Sequence, residues 1–333
     1  MEMRRLIPDP FIIALLSAVG LAVFLPARAG FAGIVDEITT AAIVLLFFLH
    51  GVHLPRQAVM SSLVHWRLHS AILAATFVIF PLLGLALSKL LGPLLPAPLW
   101  LGVLFLCVLP STVQSSIAFT SIAKGNIPGA VAAATLSNLA GIVLTPLLAS
   151  LLLKSQGPGF SLSSVSKIFS ELLLPFIVGQ VMRIWLAEWA TRRKKLLSLT
   201  DRSTILLAVY SAFSGVIVSG MLHGLAWSTL GSLIAICALL LALILLITLF
   251  GSRSLGFDRA DEIAIVFCGS KKTLASGIPM ARVLFAGPTL GAVVVPLMLF
   301  HQLQLMVCAW LSRRYARSTA ASAAAPPTAF AKV

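Results

Sequence analysis

Charged side chains are scarce in this sequence: they make up 10% of 333 residues, and only ten of them are acidic. A soluble globular domain carries about a quarter charged residues to solvate its surface, so this chain cannot cover a water-facing surface. Tyrosine is nearly missing, with two copies, and there are no successive short runs of alternating polarity. That excludes an outer-membrane barrel, whose strands alternate over about 10 residues each. The four cysteines, Cys107, Cys237, Cys268 and Cys308, lie inside apolar blocks without CxxC or Cys/His spacing. Neither a disulfide framework nor a metal-ligand cluster is indicated. Also lacking are a P-loop, a Ser/His/Asp constellation and a bound-cofactor motif, so the chain is read as neither an enzyme nor an energy-hydrolysing pump. The net charge of +14 does not point to nucleic acid, because no basic stripe interleaves with aromatics.

What the chain has instead is apolar length. Hydrophobic residues make up 59%, mean hydropathy is +1.05, and the apolar residues fall in blocks of roughly 20, enough for a helix to cross about 30 Å of hydrocarbon. Lipid is the expected solvent, and the expected fold is an all-α integral membrane protein. Ten spans are expected at about 9–25, 34–54, 66–91, 99–123, 127–153, 168–189, 203–222, 228–250, 259–286 and 290–315, with an amphipathic stretch at 55–65. The first block has a signal-peptide look, with Arg4 and Arg5 ahead of an apolar run and Ala27-Arg28-Ala29 after it. It is read as an uncleaved span, because the two halves of the chain rhyme.

Pro10-Phe11-Ile12 answers to Pro175-Phe176-Ile177, and the Gly125/Gly129-Ala130 pattern answers to Gly287/Gly291-Ala292. Residues 1–153 form the first five-helix repeat, 154–167 a linker, 168–316 the second repeat and 317–333 a disordered tail. An odd number of spans per repeat makes the second half enter from the opposite side, an inverted repeat. Basic residues support this parity. Arg4, Arg5, Arg56, Arg67, Lys124, Arg192, Arg193, Lys194, Lys195, Arg202, Arg253, Arg259, Arg313, Arg314 and Arg317 fall on one side, against Arg28, Lys89, Lys154, Lys167 and Arg282 on the other. Both termini are then on the cytoplasmic side.

Two spans at corresponding places in the repeats are unlike plain spanning helices. The fourth carries Pro110, Ser111, Thr112, Gln114, Ser115 and Ser116; the ninth carries Gly269, Ser270, Lys271, Lys272, Thr273, Ser276, Gly277 and Pro279. A broken helix frees backbone polar groups, tolerable in a bilayer only where they line a cavity or meet a partner. Paired interruptions are the best sequence pointer to a transporter's binding site. Asn138, His301 and Gln302 add polar groups on neighbouring spans, and Gln304 follows a few residues on. The lysines are the charges expected deepest in the membrane, where an ionisable group is costly and functional. Adjacent residues on a helix point about 100° apart, so one of the two is expected to face the cavity.

The stretch from Leu109 to Pro146, with Pro110-Ser111-Thr112-Val113-Gln114-Ser115-Ser116 and Lys124-Gly125-Asn126, resembles the fourth and fifth spans of the bile acid:sodium symporter family. So do Phe47-Phe48-Leu49-His50-Gly51, Leu174-Pro175-Phe176-Ile177-Val178-Gly179-Gln180 and Phe300-His301-Gln302-Leu303-Gln304-Leu305. Lys271-Lys272-Thr273-Leu274-Ala275-Ser276-Gly277-Ile278-Pro279 is similar to its bacterial SBF-like branch. The resemblance implies ten transmembrane helices in two inverted repeats, with the broken fourth and ninth crossing near the midplane. It implies a core domain of spans three to five and eight to ten, moving against a panel domain of one, two, six and seven. It also implies a sodium site, which would fall here on Ser115, Ser116 and Thr76.

The residues at those positions depart from the pattern. By the resemblance, the Ser-Asn pair of sodium-coupled relatives looks like Ser115 and Ser116 here, their third-span Gln like Thr76, and the Glu of their ninth span falls near Ser270, next to Lys271 and Lys272. At about 5 Å and an effective dielectric near 20, each lysine would repel a cation by roughly 3 kcal/mol. The expected function is secondary transport of a small anionic organic solute, with sodium coupling in doubt and the coupling ion left as Na⁺ or H⁺. Lys271 or Lys272 is expected to supply the fixed positive charge in sodium's place. An ion antiporter of the same fold and a non-transporting regulatory protein are the alternatives. A monomer or weak homodimer, with the bilayer and no nucleic acid as partner, completes the expectation.

Overall fold

A computed structural model describes residues 10–53, 65–153, 169–218, 220, 226–285 and 288–324. Described residues are helical throughout apart from short connections. We number the helices α1 (Pro10–Phe24), α2 (Ala29–His53), α3 (Trp66–Leu90), α4 (Ala97–Val108), α5 (Gln114–Ile122) and α6 (Ile127–Leu153). The second half has α7 (Phe169–Arg192), α8 (Lys194–Val218), α9 (Trp227–Ser254), α10 (Arg259–Gly269), α11 (Leu274–Leu284) and α12 (Pro288–Ala324). Six of them, α2, α3, α6, α7, α9 and α12, contain stretches long and apolar enough to cross a membrane. The expected amphipathic stretch and linker lie outside the described residues, save His65. Of the expected tail at 317–333, the first residues continue α12 to Ala324, and 325–333 lie outside the described residues. Ala316, Ala320, Ala321, Ala323 and Ala324 explain this, because alanine is the best helix former and continues a helix already nucleated upstream.

Each of the two expected interruptions is a real break. α4 stops at Val108 because Pro110 has no N–H and holds its predecessor extended; Leu109 has φ −72° and ψ 153°. The chain resumes as α5 at Gln114. α10 ends at Gly269, and Thr273 is extended (φ −79°, ψ 130°) before α11 starts. A tight turn through Lys124, in the left-handed region at φ 60°, joins α5 to α6. Asn126 fixes this turn, its N–H donating to Ala260 O (3.0 Å) and its Nδ2 to Asp261 Oδ1 (2.7 Å).

Contacts sort the helices into two groups. α1, α2, α7 and α8 pack together; α3 to α6 pack with α9 to α12, and α8 touches α11 and α12 across the divide. In the first group, α2 and α7 meet backbone to backbone. A Cβ at Gly51 would strike Phe176 O, and one at Gly179 would strike Phe48 O. Gln180 Nε2 closes this seam on Gly51 O at 2.5 Å. Small residues allow such an approach, which replaces the hydrophobic drive absent between helices in lipid.

Gly179→Val should therefore cost at least about 1–3 kcal/mol through overpacking, read as a lower melting temperature in detergent. Gly20→Ala, inside α1 at a position with nothing within 4 Å, should leave it unchanged or raise it slightly, since alanine is the better helix former.

Candidate functional site

The two breaks meet, and their backbone groups are almost wholly satisfied by one another. Thr273 N donates to Pro110 O at 3.0 Å, joining the breaks main chain to main chain. The C-terminal carbonyls of α10 receive hydroxyls from the other break: Ser111 Oγ on Cys268 O (2.6 Å) and Ser116 Oγ on Phe267 O (3.0 Å). Thr112 Oγ1 lies 2.8 Å from Ser115 Oγ and 2.9 Å from Ser116 Oγ, forming a hydroxyl cluster. From α6, Ser137 Oγ accepts the Ser111 N–H (3.0 Å), Asn138 Nδ2 donates to Ser111 O (2.7 Å), and Thr145 Oγ1 donates to Val108 O (2.8 Å). Unpaired backbone at a helix end is costly when water is excluded, and here the C-terminal ends of α4 and α10 are met by side chains of facing elements.

Lys272 supplies what hydroxyls cannot. Its Nζ donates to Thr76 O (2.7 Å), Cys107 O (2.8 Å) and Leu109 O (2.7 Å), using all three ammonium protons. Local structure explains why these carbonyls are free. A π-turn at Ala75–Ile79 sends the Phe80 N–H to Ala75 O, and Pro81, the next possible donor to Thr76 O, has no N–H. The Ser111 N–H that would continue α4 onto Cys107 O is taken by Ser137. A cation at the C-terminus of α4 also complements the helix dipole. Gln304 of α12 holds the Lys272 peptide on both sides: its Oε1 accepts the N–H (2.9 Å) and its Nε2 donates to the C=O (2.8 Å) and to His301 Nδ1 (2.8 Å).

Lys271 is buried as completely as Lys272, but its Nζ has no hydrogen-bond partner among the described residues. The ammonium sits 3.9 Å from the Phe119 ring centroid and 5.9 Å from that of Phe267. No ion pair joins a carboxylate to either lysine among the described residues.

Sequence reasoning placed most of these groups together, with three differences. Neither lysine faces an open cavity: one caps a helix and the other lies on an aromatic face. Thr76 joins through its main chain, because its hydroxyl is spent on Ile72 O (2.8 Å); it shares no hydrogen bond with Ser115 or Ser116. Gln114 is exposed and Gln302 half-buried, outside the network, while Ser276 is buried with its hydroxyl unpaired among the described residues. Ser270 Oγ turns back to Val266 O (2.6 Å). Gln304 was noted only behind His301 and Gln302, and Ser137, Thr145 and Phe119 were left out of the sequence-based candidate set. The i, i+3 spacing of His301 and Gln304 was the one signal available, since it puts both on one helix face.

Long apolar helices with two polar, mutually stitched breaks fit a multi-pass helical membrane protein. The family model described as the SBF-like CPA transporter family matches residues 9–317, and the chain belongs to that family. It is 52% identical over 326 residues, 98% of each chain, to the uncharacterized protein PA2026 of Pseudomonas aeruginosa. It is 48% identical over 319 residues, 96% of each chain, to the putative symporter YfeH of Escherichia coli K12. Sodium/bile acid cotransporter 7 of Xenopus tropicalis is 30% identical over 312 residues, covering 92% of this chain and 91% of that one.

The two lysines should respond oppositely to removal of charge. Lys272→Met strands three carbonyls, each costing about 1–3 kcal/mol when buried and unpaired, so melting in detergent should fall sharply. Lys271→Met removes an ammonium with no acceptor and keeps the packing against Phe119; its melting temperature should equal or exceed that of the wild type.

Proposed function

We propose that this chain is a secondary transporter of a small organic anion, working by alternating access without a sodium ion at the helix breaks. The observation that carries this reading is the Lys272 ammonium on three main-chain carbonyls. Oxygen cradles of that kind suit a hard cation, and here a tethered cation fills the place. Lys271 adds a second buried positive group 3.9 Å from an aromatic ring centroid, with no acidic partner among the described residues. Two fixed charges of one sign, uncompensated in a low-dielectric interior, favour a negatively charged solute and disfavour a free cation.

The architecture that fits this reading is ten crossings in two inverted repeats, with α4–α5 and α10–α11 each counted as one broken crossing near the midplane. The group built from α3 to α6 and α9 to α12 would be the moving core, and α1, α2, α7 and α8 the panel. Transport then moves the stitched breaks as one rigid unit, because their hydrogen bonds lie within the core. Counter-transport of cations is disfavoured by the same two lysines.

Purified protein in proteoliposomes, screened for counterflow of labelled organic anions, tests the reading. Initial rates should be the same in sodium, potassium or choline buffer. A rate that collapses when sodium is replaced would sink the tethered-cation account, and failure to exchange any organic anion across a broad panel would sink the transporter account.

A further inference from the structure

Arg282 lies in the last turn of α11, on the core side of the contact between the two helix groups. Its Nη2 meets Asp36 Oδ1 of α2 at 2.6 Å, and Ser211 Oγ of α8 donates to the same oxygen at 2.8 Å. This ion pair thus ties the second group of helices to the first. It lies at a definite end of the molecule. On the same two helices, α2 and α8, His50 Nε2 meets Asp201 Oδ1 at 3.3 Å, roughly 20 Å further along α2, toward the end where the basic run Arg192, Arg193 and Lys195 sits. The Arg282 pair is at the opposite end.

The pairing is lopsided in two ways. Asp36 has a half-exposed side chain (52%), whereas that of Arg282 is largely buried (15%). The acid can leave into solvent more easily than the guanidinium can. In addition, Arg282 Nε is buried with no hydrogen-bond partner among the described residues. A guanidinium presents parallel N–H groups that match a carboxylate or phosphate two at a time, and here Nη2 meets Asp36 while the neighbouring Nε does not. A buried donor left unpaired is destabilising. An oxyanion engaging both Nε and Nη2 would satisfy what Asp36 leaves unsatisfied.

We propose that Arg282 is an oxyanion-binding position between the two helix groups, held by Asp36 in this state and taken over by a carboxylate or phosphate group of the solute when the groups separate. It deepens the anion-transport reading by giving the solute's charged head a partner of defined geometry. Asp36 acts as the resident stand-in that keeps the two groups joined when no solute is bound. Exchange of one anion for another on a buried guanidinium never leaves the positive charge unpaired, so separation of the groups and arrival of solute are linked by the same contact.

Chemical rescue tests this with acetate as the probe and needs no transport, so it stands apart from whether uptake is found. Asp36→Ala in detergent should melt about 2–4 °C below the wild type. Acetate should recover most of that loss, relative to chloride at equal ionic strength, and should shift the wild type less. Asp36→Ala combined with Arg282→Gln should show no recovery. Should Asp36→Ala fold poorly, Asp36→Asn keeps the side-chain volume and is expected to show the same selective response. Equal acetate shifts in the wild type and the Asp36 variants, or recovery that survives Arg282→Gln, would overturn the proposal.

Discussion

The arrangement rests on one constraint: backbone polar groups freed inside an apolar protein must be met by other protein groups. Breaking α4 and α10 releases carbonyls and amides that lipid cannot satisfy. The cheapest solution is for the breaks to satisfy each other, and they do, through Thr273 on Pro110 and through Ser111 and Ser116 on the end of α10. Lys272 completes the set with three carbonyls contributed by α3 and by the end of α4. The π-turn in α3, Pro81, Pro110 and the Gln304 clamp make sense as parts of this one network, each either freeing an acceptor or fixing the lysine's peptide. A buried ammonium with three good acceptors is stable; the same group without them would be among the costliest in the chain.

That network also separates two residues that look equivalent. Lys271 and Lys272 are neighbours of the same type, both wholly buried. One has every proton bonded, and the other lies over Phe119 without an acceptor. The first is a structural cation that holds the crossing together. The second is a buried polar group left without an acceptor among the described residues, which costs stability. Neither is ion-paired with a carboxylate among the described residues, and the proposed preference for an anionic solute rests on that. Arg282 extends the same sign of charge to the contact between the helix groups, although there Asp36 balances it.

The fold was legible in the sequence to the extent that lipid solvation dictates it. Apolar block length indicated roughly where the helices lie, although α8 starts at Lys194, nine residues before the expected span, and Pro110 and Gly269 marked where two of them stop, because these effects act within a few residues of chain. The polar stretches at the breaks were recognisable as places where freed backbone groups need partners for the same reason. Less legible was which groups would touch. Thr76 looked like a hydroxyl ligand but contributes its carbonyl, since a π-turn is invisible to hydropathy. Gln114 and Gln302 looked like members and stand outside, while Gln304 holds the centre; a helix face decides that, and the face depends on which neighbour packs there. The end of α12 was misread because an alanine-rich segment looks like a tail in composition yet extends a helix that is already formed.

By itself, the sequence determined an all-helical membrane protein, the two interruptions, the lysines within one of them, and a family resemblance that the comparison bears out. These follow from hydrophobicity and backbone chemistry, which are local. Tertiary structure alone decided that the breaks bond to each other, that Lys272 is spent on carbonyls while Lys271 is not, and that Asp36 reaches Arg282. Those outcomes depend on distances between segments far apart in the chain, set by how helices pack rather than by what any one of them contains.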